Sequence, residues 1–358
     1  MINIRILIVD GCRPGWIKLI SVIKELKKDK YFKTIVCNTG QHREMSDEIL
    51  KLFKIKPDYN LNIMKKKQSI SYIVSKSVSK LDKIIKKEKP SLVIVLGDTS
   101  SALSGAMAGF FNKIPVMHIE AGVRSETKHE PYPEEINRRL ITQLATYNMC
   151  QCKEHQKNLE KEGVKGILTG NTGIDAMKLI KVSNKKENIV LITMHRRENW
   201  GKNIEEICKA IVMLSSKNKE NKYIVLCHPN PIVFNSVNKI LGKRKNVIIK
   251  TAMRYDKFIK LLAKAKFVIS DSGGIGMEAP VFKTPIFIVR NFYENTIVTK
   301  LGLGKVVGCS NCFKIFEKIF STISNPKKLN SMKKNSLPYS DGKAGKKVVE
   351  FIKNEVNK

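Results

Sequence analysis

The chain has 358 residues, 42% of them hydrophobic and 27% charged, with 66 Lys+Arg against 32 Asp+Glu for a formal net charge of +34. That length and apolar content suffice for a substantial core and favour two domains over one, while the charge attracts anionic partners through its long-range field without choosing among them. The lysines fall in short clusters such as residues 64–68, 84–90 and 331–336, without interleaved aromatics, so they read as solvated surface, with no nucleic acid and no membrane as partner.

Residues 2–9 (INIRILIV) open the chain as a β-branched run, and its apolar stretch of about six residues is too short for a signal core or a membrane span, which predicts a cytoplasmic protein. The run leads into the turn DGCRPG and a helix with Trp16, Leu19, Ile20, Ile23 and Leu26 on one face. Residues 91–96 (SLVIVL) lead to GDTSS and the small-residue helix ALSGAMAGFF, and residues 114–119 (IPVMHI) to EAGVRS. After Gly170 the pattern restarts: NIVLIT before MHRRENWG, KYIVLC before HPNP, KFVIS before DSGGIG, and TPIFIV before RNFYEN. Such βα alternation predicts two doubly wound, Rossmann-like parallel sheets, with ligands at the carboxyl ends of the strands in the cleft between domains. The boundary is expected near residues 167–175, giving domains at 1–168 and 169–335, with an amphipathic helix in 336–358 packing back toward the first. The eight cysteines are scattered, as in a reducing compartment. The pairs CQC (150–152) and CSNC (309–312) lack metal-ligand spacing, so no metal is expected.

Unusual residues gather at the strand ends. In residues 270–280 (SDSGGIGMEAP), Ser272, Gly273 and Gly274 let a diphosphate approach the backbone at a helix start, and Glu278 lies where it could accept from a ribose diol; the plainer reading has Asp271 as a helix cap. His195, Arg196 and Arg197 would be a costly buried positive cluster unless a phosphate or carboxylates answered them. Arg13 ends the first strand in the same way. The first half supplies acids, Asp98, Glu120, Glu134 and Glu135, that suit proton transfer; helix capping is the alternative for Asp98 and Glu134.

In register over nearly the whole chain, GDTSSALSGAMAGFFNKIPVMHIEAGVRS, PYPEEINRRL, TGNTGIDA, HRREN, HPNP, DSGGIGMEAP and PYSDGKA resemble the non-hydrolysing UDP-N-acetylglucosamine 2-epimerases. The resemblance implies two domains of the glycosyltransferase-B kind and reversible 2-epimerisation of UDP-GlcNAc and UDP-ManNAc. The reaction it implies is anti elimination of UDP to 2-acetamidoglucal followed by re-addition, without cofactor. It further implies a cytoplasmic homodimer feeding surface polysaccharide or glycan synthesis. Position by position, Arg13, His195, Arg196, Ser272, Gly273, Gly274 and Glu278 match the UDP-binding set, with Arg290 kept beside it. Lys18, Asp98, Glu120, Glu134 and Arg138 match the residues around the sugar and its proton transfers. Gln41, His42, Lys67 and Gln68 match the loops that hold a second, activating UDP-GlcNAc, with Lys67 where an arginine is usual.

Three stretches depart from the family's pattern. GTRPE is GCRPG here, losing a glutamate at Gly15; GIQEEAP is GIGMEAP, with Gly276 and Met277; and RDTTERPE is RNFYENTI, with Phe292, Tyr293 and Asn295. Because they bear on the sugar more than on the UDP, another UDP-2-acetamido sugar, such as a 6-deoxy hexosamine, stands as the alternative substrate. A hydrolysing epimerase, a glycosyltransferase of the same fold and a non-catalytic nucleotide-sugar sensor are further readings.

Overall fold

The β-branched runs become the strands of two all-parallel sheets. The computed structural model describes residues 4–355, save 42, 66–67, 126, 184, 229, 252, 292, 294–295, 334–338 and 340. It comprises two units, Met1–Leu179 with Tyr339–Lys358, and Ile180–Pro338. The first unit contains β1 (Ile4–Asp10), β2 (Phe32–Asn38), β3 (Tyr59–Asn60), β4 (Leu92–Leu96), β5 (Val116–Ala121), β6 (Tyr147–Cys150) and β7 (Gly166–Leu168). Their order is β3-β2-β1-β4-β5-β6-β7. The second contains β8 (Ile189–Met194), β9 (Lys222–Cys227), β10 (Val247–Lys250), β11 (Phe267–Ser270), β12 (Ile286–Ile288) and β13 (Gly304–Val306), in the order β10-β9-β8-β11-β12-β13. In each sheet the winding reverses beside the first strand, at β1/β4 and at β8/β11, and such a reversal opens a crevice at the strand ends.

Sequence periodicity and burial agree along the chain. Ile6, Leu7, Ile8 and Val9 of β1 are inaccessible, as are Trp16, Leu19, Ile20, Ile23 and Leu26 of the helix Arg13–Lys28. The helix Ser100–Phe111 lies so close to its sheet that a Cβ on Gly105 would come within 2.7 Å of Val95 and 3.2 Å of Val9. This spacing explains the small-residue run, since helix and strands could not meet over larger side chains.

The units divide after Leu179, beyond the expected boundary at 168/169. The helix Thr172–Lys178 packs on the helix Arg13–Lys28, Ser21 Oγ donates to Thr172 O at 3.1 Å, and Asn171 caps its start by accepting from Gly173 N at 2.8 Å. Residues 171–178 are therefore fastened to the first sheet. The closing helix Ala344–Glu355 belongs to that unit too: Gly345 N donates to the Asp175 carboxylate at 2.8 Å, and Phe351 meets Tyr147 edge to face at 5.2 Å. Among the described residues no helix is long and apolar enough to cross a membrane.

Substituting Gly105→Val should cost about 1–3 kcal/mol by forcing the Ser100–Phe111 helix off Val9 and Val95. Urea denaturation checks this, and an unchanged midpoint would contradict the close packing.

Candidate active site

In the first unit the acids sit where β4 and β5 end. β5 carries an irregularity between Ile119 and Ala121, and Glu120 within it has φ +69, a conformation that a non-glycine residue adopts at a cost and that clusters at functional positions. The bend aims Glu120 at Lys18, with which it forms an ion pair, while Gln151 Nε2 donates to its Oε2 at 2.6 Å. Gly122 follows at φ +85, where a Cβ would run into the carbonyl of His155. Asp98 follows β4 and pairs with Arg138, and its carbonyl accepts from Asn137 Nδ2 at 2.9 Å. Thr99, not Asp98, caps the next helix, accepting from Ala102 N at 3.1 Å. That removes the capping alternative for Asp98.

Arg138 is held from behind. The fully buried Glu135 accepts from Arg138 at 3.2 Å, Arg139 at 2.7 Å and Ser125 N at 3.0 Å. Glu162 extends the network, taking a bidentate fork from Arg124 at 2.7 and 2.8 Å. Such forks fix geometry as well as charge. Glu134 starts the helix Glu134–Leu144 after Pro133, which makes no side-chain cap bond. Its charge acts on Cys12 together with those of Asp10 and Asp98, and with burial as the leading cause they push the thiol well above its ordinary range. Three carboxylates thus gather around the start of the helix Arg13–Lys28, whose first residue is the half-buried Arg13. His118 and His155 are both lowered to about 4 by burial, so they stand neutral beside this set at neutral pH.

In the second unit the organiser is Asp271, which is fully buried after β11. Its carboxylate accepts from His195 N at 3.0 and 3.1 Å, Arg196 N at 3.0 Å and Asn199 Nδ2 at 3.1 Å. It is no helix cap: Ser272 holds the cap position of the helix Gly273–Glu278, without a side-chain cap bond. The anion that answers the backbone N–H groups of His195 and Arg196 is therefore a residue 76 positions away; His195 is exposed and Arg196 half-buried. Ser272 N donates to Ser270 Oγ at 2.9 Å, and Thr193 and Ser270 hydroxyls meet at 2.6 Å, tying β8 to β11 at their ends. Gly274 is exposed and Glu278 half-buried on the same short helix. Arg290 pairs with Glu198 at 3.0 Å. A Cβ on Gly276 would collide with the buried ring and hydroxyl of Tyr293, so two of the departures from the family pattern share one space.

Gln41 accepts from Ser101 N at 3.2 Å and Ser101 Oγ at 2.8 Å, and Gln68 accepts from Lys65 N at 2.8 Å. His42 and Lys67 lie outside the described residues, as do Phe292, Glu294 and Asn295. Sequence reasoning missed Gln151 and the organising role of Asp271; a polar residue directly after a strand, in CQC and in SDSGG, was the available signal. Among the described residues no group of three or more His, Cys, Asp or Glu is placed to hold a metal ion.

The two sheets and the residues at their ends define a two-domain α/β protein of the glycosyltransferase-B-like class. The UDP-N-acetylglucosamine 2-epimerase family model matches residues 24–353, and the chain belongs to that family. The UDP-N-acetylglucosamine 2-epimerase of Escherichia coli K12 is 35% identical, with 98% of each chain covered. Among solved structures, the Neisseria meningitidis UDP-GlcNAc 2-epimerase bound to UDP-GlcNAc has a TM-score of 0.90 at 36% identity, covering 98% of this chain and all of that one. An S. aureus MnaA–UDP co-structure has a TM-score of 0.89 at 37% identity, covering 100% and 97%.

Asp271→Ala should strand the N–H groups of His195 and Arg196 and cost about 3 kcal/mol in urea denaturation. Asp271→Asn, which keeps one acceptor oxygen, should lose much less. Equal losses in the two variants would contradict the role given to Asp271.

Proposed function

We propose that the protein interconverts UDP-GlcNAc and UDP-ManNAc by anti elimination of UDP and re-addition across C1 and C2. The observation that carries this reading is the set of acids at the ends of β4 and β5, each held by a cation: Asp98 by Arg138 and Glu120 by Lys18. Family membership and the UDP-GlcNAc bound in the N. meningitidis structure support it.

The chemistry makes two demands. The C2 hydrogen lies next to no carbonyl, so it can leave as a proton only while the C1–O bond breaks and its electrons pass to the diphosphate. Cations and backbone N–H groups must stabilise that departing charge. In this reading His195, Arg196, Arg13 and the Ser272-Gly273-Gly274 backbone meet the diphosphate, Glu278 the ribose, and Arg290 lends charge nearby. The second demand is that the proton leave one face of C2 and return to the other, which needs more than one proton carrier. Asp98, Glu120 and Glu134 are those carriers. Lys18 and Arg138 keep Glu120 and Asp98 aimed through their ion pairs.

The surroundings follow from the same reading. All eight cysteines are free and buried, which fits a cytoplasmic enzyme supplying activated sugar for surface polysaccharide. We assign the molecule as a homodimer: Phe110 and Phe111 are 54% and 61% exposed, and an apolar surface runs from Phe111 and Met107 to Val74 and Val78, a face of the kind a second copy covers. Light scattering should give twice the chain mass, and Phe111→Glu should halve it. A monomeric wild type would contradict this assignment.

Incubation with UDP-GlcNAc, followed by proton NMR, should show UDP-ManNAc accumulating with the sugar still attached to UDP. Asp98→Asn and Glu120→Gln should each reduce turnover by roughly a hundredfold or more while UDP still binds. Release of free sugar, or near wild-type turnover in either variant, would defeat the reading.

A further inference from the structure

The helix that carries Arg13 and Lys18 begins without a capping side chain. Its N-cap, Cys12, makes no side-chain cap bond, and its first turn, Arg13-Pro14-Gly15, contains no acid. The N–H groups at a helix start nonetheless need acceptors. The family's run Thr-Arg-Pro-Glu has the form of a capping box, in which the glutamate three positions after the cap accepts from the cap's own N–H. Here those two positions are Cys12 and Gly15.

The acceptor arrives instead from the strand. Asp10, the last residue of β1, is fully buried, and its Oδ1 accepts from Gly11 N at 2.5 Å and Cys12 N at 2.7 Å. Its carboxyl group also fills the space beside residue 15. A Cβ there would meet all three terminal atoms of Asp10, the farthest of them, Oδ1, at 2.6 Å. A side chain at 15 and the Asp10 carboxyl in its present position exclude each other.

We propose that Asp10 is a positioning residue for the reaction: it takes the place of a first-turn acid, fixes the start of the helix that aims Lys18 at Glu120, and requires glycine at position 15. This rests on the function proposed above, because Lys18 and Glu120 are what it positions. The electrostatics agree with a carboxyl group enclosed by the helix start. Oδ2 has no hydrogen-bond partner among the described residues, and burial raises the group to about 7 against its bonds from Cys12 and Gly11 and the charge of Lys18. The charged groups facing it are Lys18 on the helix and Asp98 after β4, with Glu134 reaching the same helix start through Cys12.

A mutant cycle on the full chain tests this. Asp10→Ala should lower Tm by several degrees and kcat by roughly tenfold to a hundredfold through the misaimed Lys18. Asp10→Asn keeps the accepting oxygen and should rescue most of both. Gly15→Glu alone should be damaging, whereas Asp10→Ala/Gly15→Glu together should exceed either single variant in Tm and kcat, because the carboxylate introduced at position 15 can then accept from Cys12 N–H. A raised pKa withdraws stability as pH climbs from the ordinary carboxyl range through about 7, so Tm of Asp10→Asn should gain on wild type across that window. Additive effects in the cycle, a harmless Gly15→Glu, or a kcat unaffected by Asp10→Ala would each overturn the proposal. A wild type without epimerase activity would defeat the function proposed above and take the catalytic half of this proposal with it, leaving the cycle in Tm to decide the Asp10/Gly15 exchange.

Discussion

A carboxylate at the carboxyl end of a parallel strand has lost much of its water and must be answered by donors of defined position. This constraint recurs at four strand ends: Asp10 at the end of β1 takes backbone N–H groups, Asp98 after β4 takes Arg138, Glu120 in β5 takes Lys18 and Gln151, and Asp271 after β11 takes the His195–Asn199 turn. The answers are of two kinds. Asp10 and Asp271 are fully buried and bound to backbone, so they shape loops. Asp98 and Glu120 keep 25% and 16% of their side-chain surface and face side-chain cations, so a substrate can compete for them.

Much of this is legible in the sequence because period and composition report local structure. Fully apolar runs mark the inner strands, the three-and-four spacing of Trp16, Leu19, Ile20 and Ile23 marks a buried helix face, and charged or glycine-rich residues behind a strand mark its functional end. The edge strands are less legible: β3 has two residues and β10 alternates half-buried with exposed positions, so neither stands out from loop. Pairings across long separations are not legible at all. Nothing in SDSGG says that Asp271 will bind His195 N, and nothing in CQC says that Gln151 will reach Glu120, because each depends on which strands become neighbours. The unit boundary has the same cause, since the helix Thr172–Lys178 is assigned by what it packs on.

The departures from the family pattern also become coherent once space is considered. The loss of side chain at Gly15 goes with the carboxyl group of Asp10, and the loss at Gly276 goes with the ring of Tyr293. Each glycine leaves room that a residue elsewhere in the chain occupies, so the pairs are exchanges of volume in a packed interior where an unfilled gap or a collision is costly. Nothing in the structure explains Met277 in place of a glutamate.

The central claim is that the C2 proton leaves into a carboxylate and returns to the opposite face while the sugar stays with UDP. Equilibrating the protein with UDP-GlcNAc in D2O and reading the UDP-sugar pool by mass spectrometry tests it most directly, because the abstracted proton exchanges with solvent before it is returned. Both C2 epimers should carry one deuterium at C2 and remain attached to UDP. A UDP-linked C2 epimer without deuterium would contradict the elimination mechanism.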